Sequence, residues 1–321
     1  MKTFFELSGG LGNQIFQYLA SQYIRQSNKY VDEVYFCQSD YLRLGYREYS
    51  LGSLLPYINN VEQTSETKTW SLKLKRRLSA LTHGHAAVWS PVRKGAARLV
   101  KDLHTSEGHL GKSANKRHEA PLELLNGYLD SIGILNCRSV YVSGYWQNIT
   151  PYIDKIADLI EEVQPTVALL PTELRGQPYI AIHLRRGDYH NEIDNRHFYC
   201  KRVSPVSFIL SALSMLPSQL ASVPVIIVSD DESWAQQLSS LLIDKGANAR
   251  LYTCLGIMSD WSIIRYASYR ILANSTFSMT AALLGPVSSR SKVNNVMPQW
   301  INEDTHAADW GWDLLTNTVL L

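Results

Sequence analysis

The chain has 321 residues, 45% hydrophobic and 19% charged, a balance that fits a globular protein with room for two domains of ordinary size. No run approaches the roughly 18 uninterrupted apolar residues that span a bilayer. The four cysteines, Cys37, Cys137, Cys200 and Cys254, form no Cys-x-x-Cys pair, which argues against a zinc knuckle or a dithiol redox centre and fits reduced thiols in the cytosol.

The amino terminus, MKTFFELSGG, carries one lysine and an apolar run broken by Glu6. It is expected to be a first strand, Thr3 to Leu7, rather than a secretory signal. Gly9-Gly10-Leu11-Gly12-Asn13-Gln14 follows as a glycine loop, and Ile15, Phe16, Leu19, Ala20, Tyr23 and Ile24 then recur at helical spacing. Strand, glycine loop and helix in that order aim backbone N–H groups and a positive helix end at an anion. The spacing is neither the dinucleotide fingerprint nor a Walker loop, since no terminal Gly-Lys-Ser/Thr is present.

Val34 to Cys37 reads as a second strand. Residues 68–118 then hold 12 lysines and arginines against 2 acidic residues, although the whole chain has a net charge of only +2. Within this block Trp70, Leu74, Leu78 and Leu81 share one helical face, and Val92, Ala96, Leu99 and Leu103 share another. Such a basic helical insert suits a polyanionic surface, nucleic acid or anionic lipid, and equally suits two surface helices with solvated lysines. Val140 to Ser143 is a further strand, before Gly144-Tyr145-Trp146-Gln147, and Asp154 to Val163 reads as a helix. Pro165, Pro171, Gly176 and Pro178 punctuate the stretch after that helix. The expected domains are therefore 1–165, with the basic insert, and 166–321, whose carboxyl-terminal segment is expected to pack back on the first domain.

The second half alternates: strands at 179–184, 223–229, 249–253 and 270–273, helices at 205–216, 232–245, 259–268 and 277–284. This pattern predicts an α/β fold with a parallel sheet covered on both faces and a ligand beyond the carboxyl ends of its strands. Three loops meet that edge. His183-Leu184-Arg185-Arg186-Gly187-Asp188-Tyr189 sets two arginines after an apolar strand. A guanidinium grips two phosphate oxygens at once, whereas a surface Arg–Asp ion pair is the plainer alternative. Asp230 and Asp231 follow Ser229 and suit the N–H donors of guanine or a ribose hydroxyl, or one of them caps the next helix. Asn274, Ser275 and Thr276 open a helix, as a phosphate cradle or as ordinary caps. The three loops together outline a nucleoside diphosphate site.

These segments resemble an ordered set of family signatures. Gly-Gly-Leu-Gly-Asn-Gln-Ile-Phe-Gln-Tyr at 9–18, Gly-Tyr-Trp-Gln at 144–147, the arginine segment at 183–189, Ser-Asp-Asp at 229–231, Ala-Asn-Ser-Thr-Phe-Ser at 273–278 and Pro298-x-Trp300 look like those of bacterial α-1,2-fucosyltransferases, glycosyltransferase family 11. One departure is Met279-Thr280, where that pattern carries paired tryptophans.

The resemblance implies a GT-B-like arrangement, with two Rossmann-like domains facing across a cleft. It also implies GDP-β-L-fucose as donor, inversion at the anomeric carbon, and no cofactor or metal. Arg185 is expected at the β-phosphate with Arg186 behind it, Ser275 and Thr276 with Asn274 at the diphosphate, and Asp230 or Asp231 at guanine. His183 faces the nucleotide, and Gly10, Gly12 and Asn13 bring the first domain's loop to the reacting end. Asp188, Glu192 and Asp194 are the carboxylates from which a general base is expected, Asp188 also being placed to lock the arginines. The expected acceptor is a galactose-containing oligosaccharide or lipid-linked glycan. The expected location is cytoplasmic, with peripheral contact to an anionic membrane surface and no nucleic acid partner. A fucosyltransferase of another linkage is the enzymatic alternative, and a nucleic-acid-binding protein and a catalytically silent GDP-sugar sensor are the readings from other classes. The last two fit less well, because the cradle and the amino-terminal loop occur together.

Overall fold

The structure is a computed structural model that describes residues 1–38, 49–55, 58, 61–62, 87–89, 126–127, 129–130, 139–155, 158, 162–163, 166–186, 205–216, 222–252, 255–286, 294–300, 306–315 and 317–321. The chain divides into two compact units, Met1–Tyr49 with Tyr57–Gln147, and Ser50–Pro56 with Asn148–Leu321. The division falls after Gln147, ahead of the proline-marked boundary expected at residue 165. Just beyond that division, Ile149 and Thr150 meet the carboxyl-terminal segment of the second unit: Ile149 N–H donates to the Trp310 carbonyl at 2.9 Å, and Gly311, at φ +76°, leaves no room for a Cβ beside Thr150.

The first unit has a sheet in the order β3-β2-β1-β5-β4. Its strands are β1 (Lys2–Leu7), β2 (Glu33–Gln38), β3 (Val61–Glu62), β4 (Ala87–Trp89) and β5 (Ser139–Ser143). All pairings are parallel except β4 with β5. Phe4, Phe5 and Leu7 of β1 are buried, as are Ile15, Phe16, Leu19, Ala20 and Ile24 of α1 (Leu11–Ser27), so the helical stripe read from the sequence is the face laid on the sheet. The two helices expected in the basic block lie outside the described residues; within that block β4 is described.

The second unit contains α2 (Leu51–Leu54) and an all-parallel sheet in the order β11-β10-β9-β6-β7-β8. In chain order come β6 (Ile180–Leu184), α3 (Pro205–Met215), β7 (Val225–Ser229), α4 (Glu232–Asp244) and β8 (Ala249–Leu251). They are followed by α5 (Ile257–Tyr266), β9 (Tyr269–Ile271), α6 (Thr276–Leu283), β10 (Asn295–Met297) and β11 (Thr318–Leu320). Every residue of β6 and β7 is buried, as continuous apolar strands covered on both faces require. Ile180, Ile182, Ile227, Ile209 and Leu238 join one core from the sheet, α3 and α4. The order from β8 across to β11 is the doubly wound Rossmann order, with the chain reversing direction across the sheet between β6 and β9. The two α/β units are the two Rossmann-like parts of the expected GT-B-like class.

Candidate nucleotide-diphosphate site

The carboxyl ends of β6, β7 and β9 bring the three predicted loops to one edge of the second sheet. Register does most of the placement. Leu184 of β6 lies opposite Ser229 of β7, so the residues that follow the two strands face one another in pairs, Arg185 with Asp230 and Arg186 with Asp231. The contacts follow that alignment. Arg185 Nη1 lies 2.6 Å from Asp230 Oδ2, Arg186 N–H donates to Asp230 Oδ1 at 2.7 Å, and Arg186 Nε donates to Asp231 Oδ2 at 3.2 Å. Asp231 Oδ1 accepts the Trp234 N–H at 3.0 Å and so caps α4. The Arg186 guanidinium also stacks 4.8 Å above the Trp234 ring.

All four oxygens of the two aspartates are thus engaged inside the protein. They lock the arginines, a role the sequence pattern also offers to Asp188, which lies outside the described residues. Counting outward from the ends of the two neighbouring apolar strands is the signal that would reveal this pairing. Asp188, Glu192 and Asp194 lie outside the described residues, so none of the three expected base candidates is located.

His183, on β6 itself, is 6% exposed, and its Nδ1 has no hydrogen-bond partner. Its ring lies 5.5 Å from that of Phe277, in the first turn of α6. Burial, outweighing the nearby Asp230 carboxylate, pushes its pKa down to about 3, so it is a neutral imidazole at physiological pH. Across the switch point, Ser275 sits at the N-cap of α6, 5% exposed, with its side chain making no capping bond. The expected alternative of an ordinary serine cap is therefore not what this helix uses. Its first turn keeps the N–H donors that helix geometry leaves over. Arg185, Arg186, His183, Asp230, Asp231, Ser275 and Thr276 are brought to the same sheet edge, with Asn274 in the loop that leads into α6.

The first unit has its own reversal point, between β1 and β5, and the glycine loop lies there. Gln17, fully buried, bridges the loops after both strands. It accepts from Ser8 N–H at 2.9 Å and donates to Ser8 Oγ at 3.0 Å and to the Gly144 carbonyl at 2.9 Å. Gln147 Nε2 donates to Asn13 Oδ1 at 3.2 Å. Gly9 has φ +74° and abuts Asn13, and a Cβ on Gly144 would come within 2.8 Å of the Trp146 ring, so both positions require glycine. Trp146 itself has φ +49°, a strained backbone for a bulky residue. Gly10 is the N-cap of α1, and Gly12 and Asn13 lie in its first turn. Sequence reasoning misses Gln17 as a site residue; only its place within the glycine-loop signature hints at it.

Met279 and Thr280, where the family pattern has tryptophans, are 1% and 0% exposed. The departure therefore lies in packed interior, against Trp261 of α5, whose indole N–H meets Thr280 Oγ1 at 3.3 Å.

Paired arginines braced by carboxylates, an uncapped helix start and a neutral buried histidine, gathered at a Rossmann reversal point, are the equipment of a protein that handles an anionic nucleotide. The chain belongs to glycosyl transferase family 11, whose model matches residues 113–310. Among curated proteins it is 23% identical over 153 residues to an alpha-1,2-colitosyltransferase of Escherichia coli, a match taking in 46% of this chain and 51% of that protein. The chain thus spans about half the length of that relative. Among solved structures it is similar to POFUT1 in complex with GDP-fucose, at 10% identity and TM-score 0.44 over 92% of this chain and 97% of the other. It is also similar to the E. coli heptosyltransferase WaaC with ADP-2-deoxy-2-fluoro heptose, at 11% identity and TM-score 0.43 over 100% and 93%.

Proposed function

We propose that the protein is an inverting, metal-independent galactoside α-1,2-fucosyltransferase, moving L-fucose from GDP-β-L-fucose to O2 of a terminal galactose on a glycan acceptor. The observation that carries this reading is the braced arginine pair just after β6, at the same sheet edge as the uncapped start of α6. In the reaction the bond between the fucosyl anomeric carbon and the β-phosphate oxygen breaks. The acceptor oxygen bonds to that carbon from the opposite face, the acceptor proton passes to a base, and GDP leaves with the extra negative charge. Arg185 meets that charge as it grows. A contact that strengthens along the reaction lowers the barrier, whereas uniform binding does not.

Asp230 keeps Arg185 in place and Asp231 keeps Arg186 in place, which favours a positioning role for both carboxylates over reading guanine. Ser275, Thr276 and the first-turn amides of α6 complete the diphosphate grip, with Asn274 leading into it. Neutral His183 offers a hydrogen bond without adding charge. The loop with Gly10, Gly12 and Asn13 serves the acceptor side. Glu192 and Asp194, with Asp188, remain the carboxylates proposed for the general base. The natural acceptor is proposed to be a lipid-linked glycan, met on the cytoplasmic face of a membrane through the basic segment at 68–118. Among the described residues no helix is long and apolar enough to cross a membrane.

The test is incubation with GDP-fucose and lactose in the presence of EDTA, with GDP release measured and the product linkage determined. GDP-colitose serves as the competing donor, because the E. coli relative is named for colitose transfer. The expected product is the α-1,2-fucoside. Absence of GDP release with every galactosyl acceptor overturns the proposal.

A further inference from the structure

Helices α5 and α6 each follow a strand of one parallel sheet and pack against each other, so their amino termini lie together at the ligand edge. They are pinned in register. Trp261 is the fifth residue of α5 and Thr280 the fifth of α6. Both are fully buried, and the indole N–H to Thr280 Oγ1 bond joins them. Thr280 Oγ1 in turn donates to the Thr276 carbonyl at 2.8 Å, reaching the first residue of α6.

At the other ends, two buried arginines cover the helix carbonyls. Arg265 Nε donates to the Leu284 carbonyl at 2.9 Å. Arg270, 1% exposed, donates to the carbonyls of Ile264 at 2.9 Å, Arg265 at 2.5 Å and Pro286 at 3.1 Å, and to Asn295 Oδ1 at 3.2 Å. Arg265 also stacks on Trp261 at 5.3 Å, so one indole joins the clamp at the far ends to the pin near the starts. Cationic groups at helix carboxyl termini offset the negative pole, while the α6 start has no side-chain cap of its own.

We propose that Trp261 and Thr280, backed by Arg265 and Arg270, are positioning residues that hold the uncapped start of α6 in the geometry that receives the donor's diphosphate. The proposal rests on the nucleotide reading above. None of the four touches the ligand in this scheme; they act through α6. The hydroxyl of Thr280 thus matters for phosphate recognition although it is buried beneath the turn that does the binding.

The experiment titrates the full chain calorimetrically with GDP and with guanosine, in EDTA. Failure of the wild-type protein to bind GDP removes the nucleotide reading itself and is thereby distinguished from failure of the positioning role. With GDP binding established, Thr280→Val and Trp261→Phe are each expected to weaken GDP about three- to tenfold, the worth of one net hydrogen bond. Guanosine affinity stays unchanged and Thr280→Ser restores GDP binding. The double variant loses no more than either single variant, since both remove one bond. GDP affinity within about twofold of wild type in both variants, or an equal loss for GDP and guanosine, overturns the proposal. Circular dichroism checks folding, and Trp261→Phe, which keeps an aromatic ring in place, carries the test if Thr280→Val does not fold.

Discussion

Among single residues, Asp230 and Asp260 show how differently two carboxylates of the second unit behave. Asp230 is partly exposed and paired with Arg185, and a pair of that kind contributes at most about 1 kcal/mol to folding. Its value is therefore in orientation. Asp230→Asn is expected to leave the melting temperature nearly unchanged while lowering kcat by about tenfold or more, and Arg185→Ala to cost roughly 3 kcal/mol of transition-state stabilisation, about a hundredfold in kcat/KM. Steady-state GDP release measures both, and near wild-type turnover in Arg185→Ala removes the leaving-group role.

Asp260, in the first turn of α5, has a buried Oδ1 without a partner, and burial raises its pKa from 3.8 to about 6. A raised folded pKa favours the fold fully below pH 3.8, and that advantage fades as pH rises through about 6. Asp260→Asn is expected to melt higher than wild type at pH 8 and to show no such gain at pH 4. A gain of equal size at both pH values contradicts the burial argument.

Among helices and strands, those with strong patterns are legible in the sequence because their periodicity is imposed by burial. The stripe on α1 and the unbroken apolar runs of β6 and β7 are examples. β10 and β11 are not: each has three residues, and they are held by long-range bonds such as Asn294 N–H to the Asn317 carbonyl at 2.8 Å, which no local pattern announces. The clamp on α5 and α6 is hidden for the same reason, since Arg265 and Arg270 read as charged residues in a helix and an edge of a strand. Gly285 is its most exacting point: a Cβ there would lie 2.5 Å from Arg270 Nη2, 2.7 Å from the Arg265 carbonyl and 2.9 Å from the Ala281 carbonyl. Gly285→Ala is expected to destabilise the second unit by about 1–3 kcal/mol through overpacking, measured by urea unfolding; an unaltered midpoint shows that the clamp yields.

Across the molecule, the chain places one reversal point in each of two α/β units, and the proposed donor site belongs to the second. GDP should therefore stabilise the transition of that unit, by about 2.7 kcal/mol when present at 100 times its Kd. Calorimetric melting with and without GDP tests this, and a transition of the second unit that does not move with GDP contradicts the assignment. The class of fold and the three loops of the site can be read from sequence because alternation and strand ends are local. The partnering of arginines with aspartates cannot, because it depends on how two strands far apart in the chain align.

That alignment has an engineering consequence. Side chains alternate faces along a strand, so one extra residue within β6 would turn Arg185 and Arg186 to opposite sides and leave each facing the wrong neighbour. Strand length acts as the gauge block of this site: a loop grafted here from a relative would work only if the distance from Ile180 to Arg185, counted in residues, were kept.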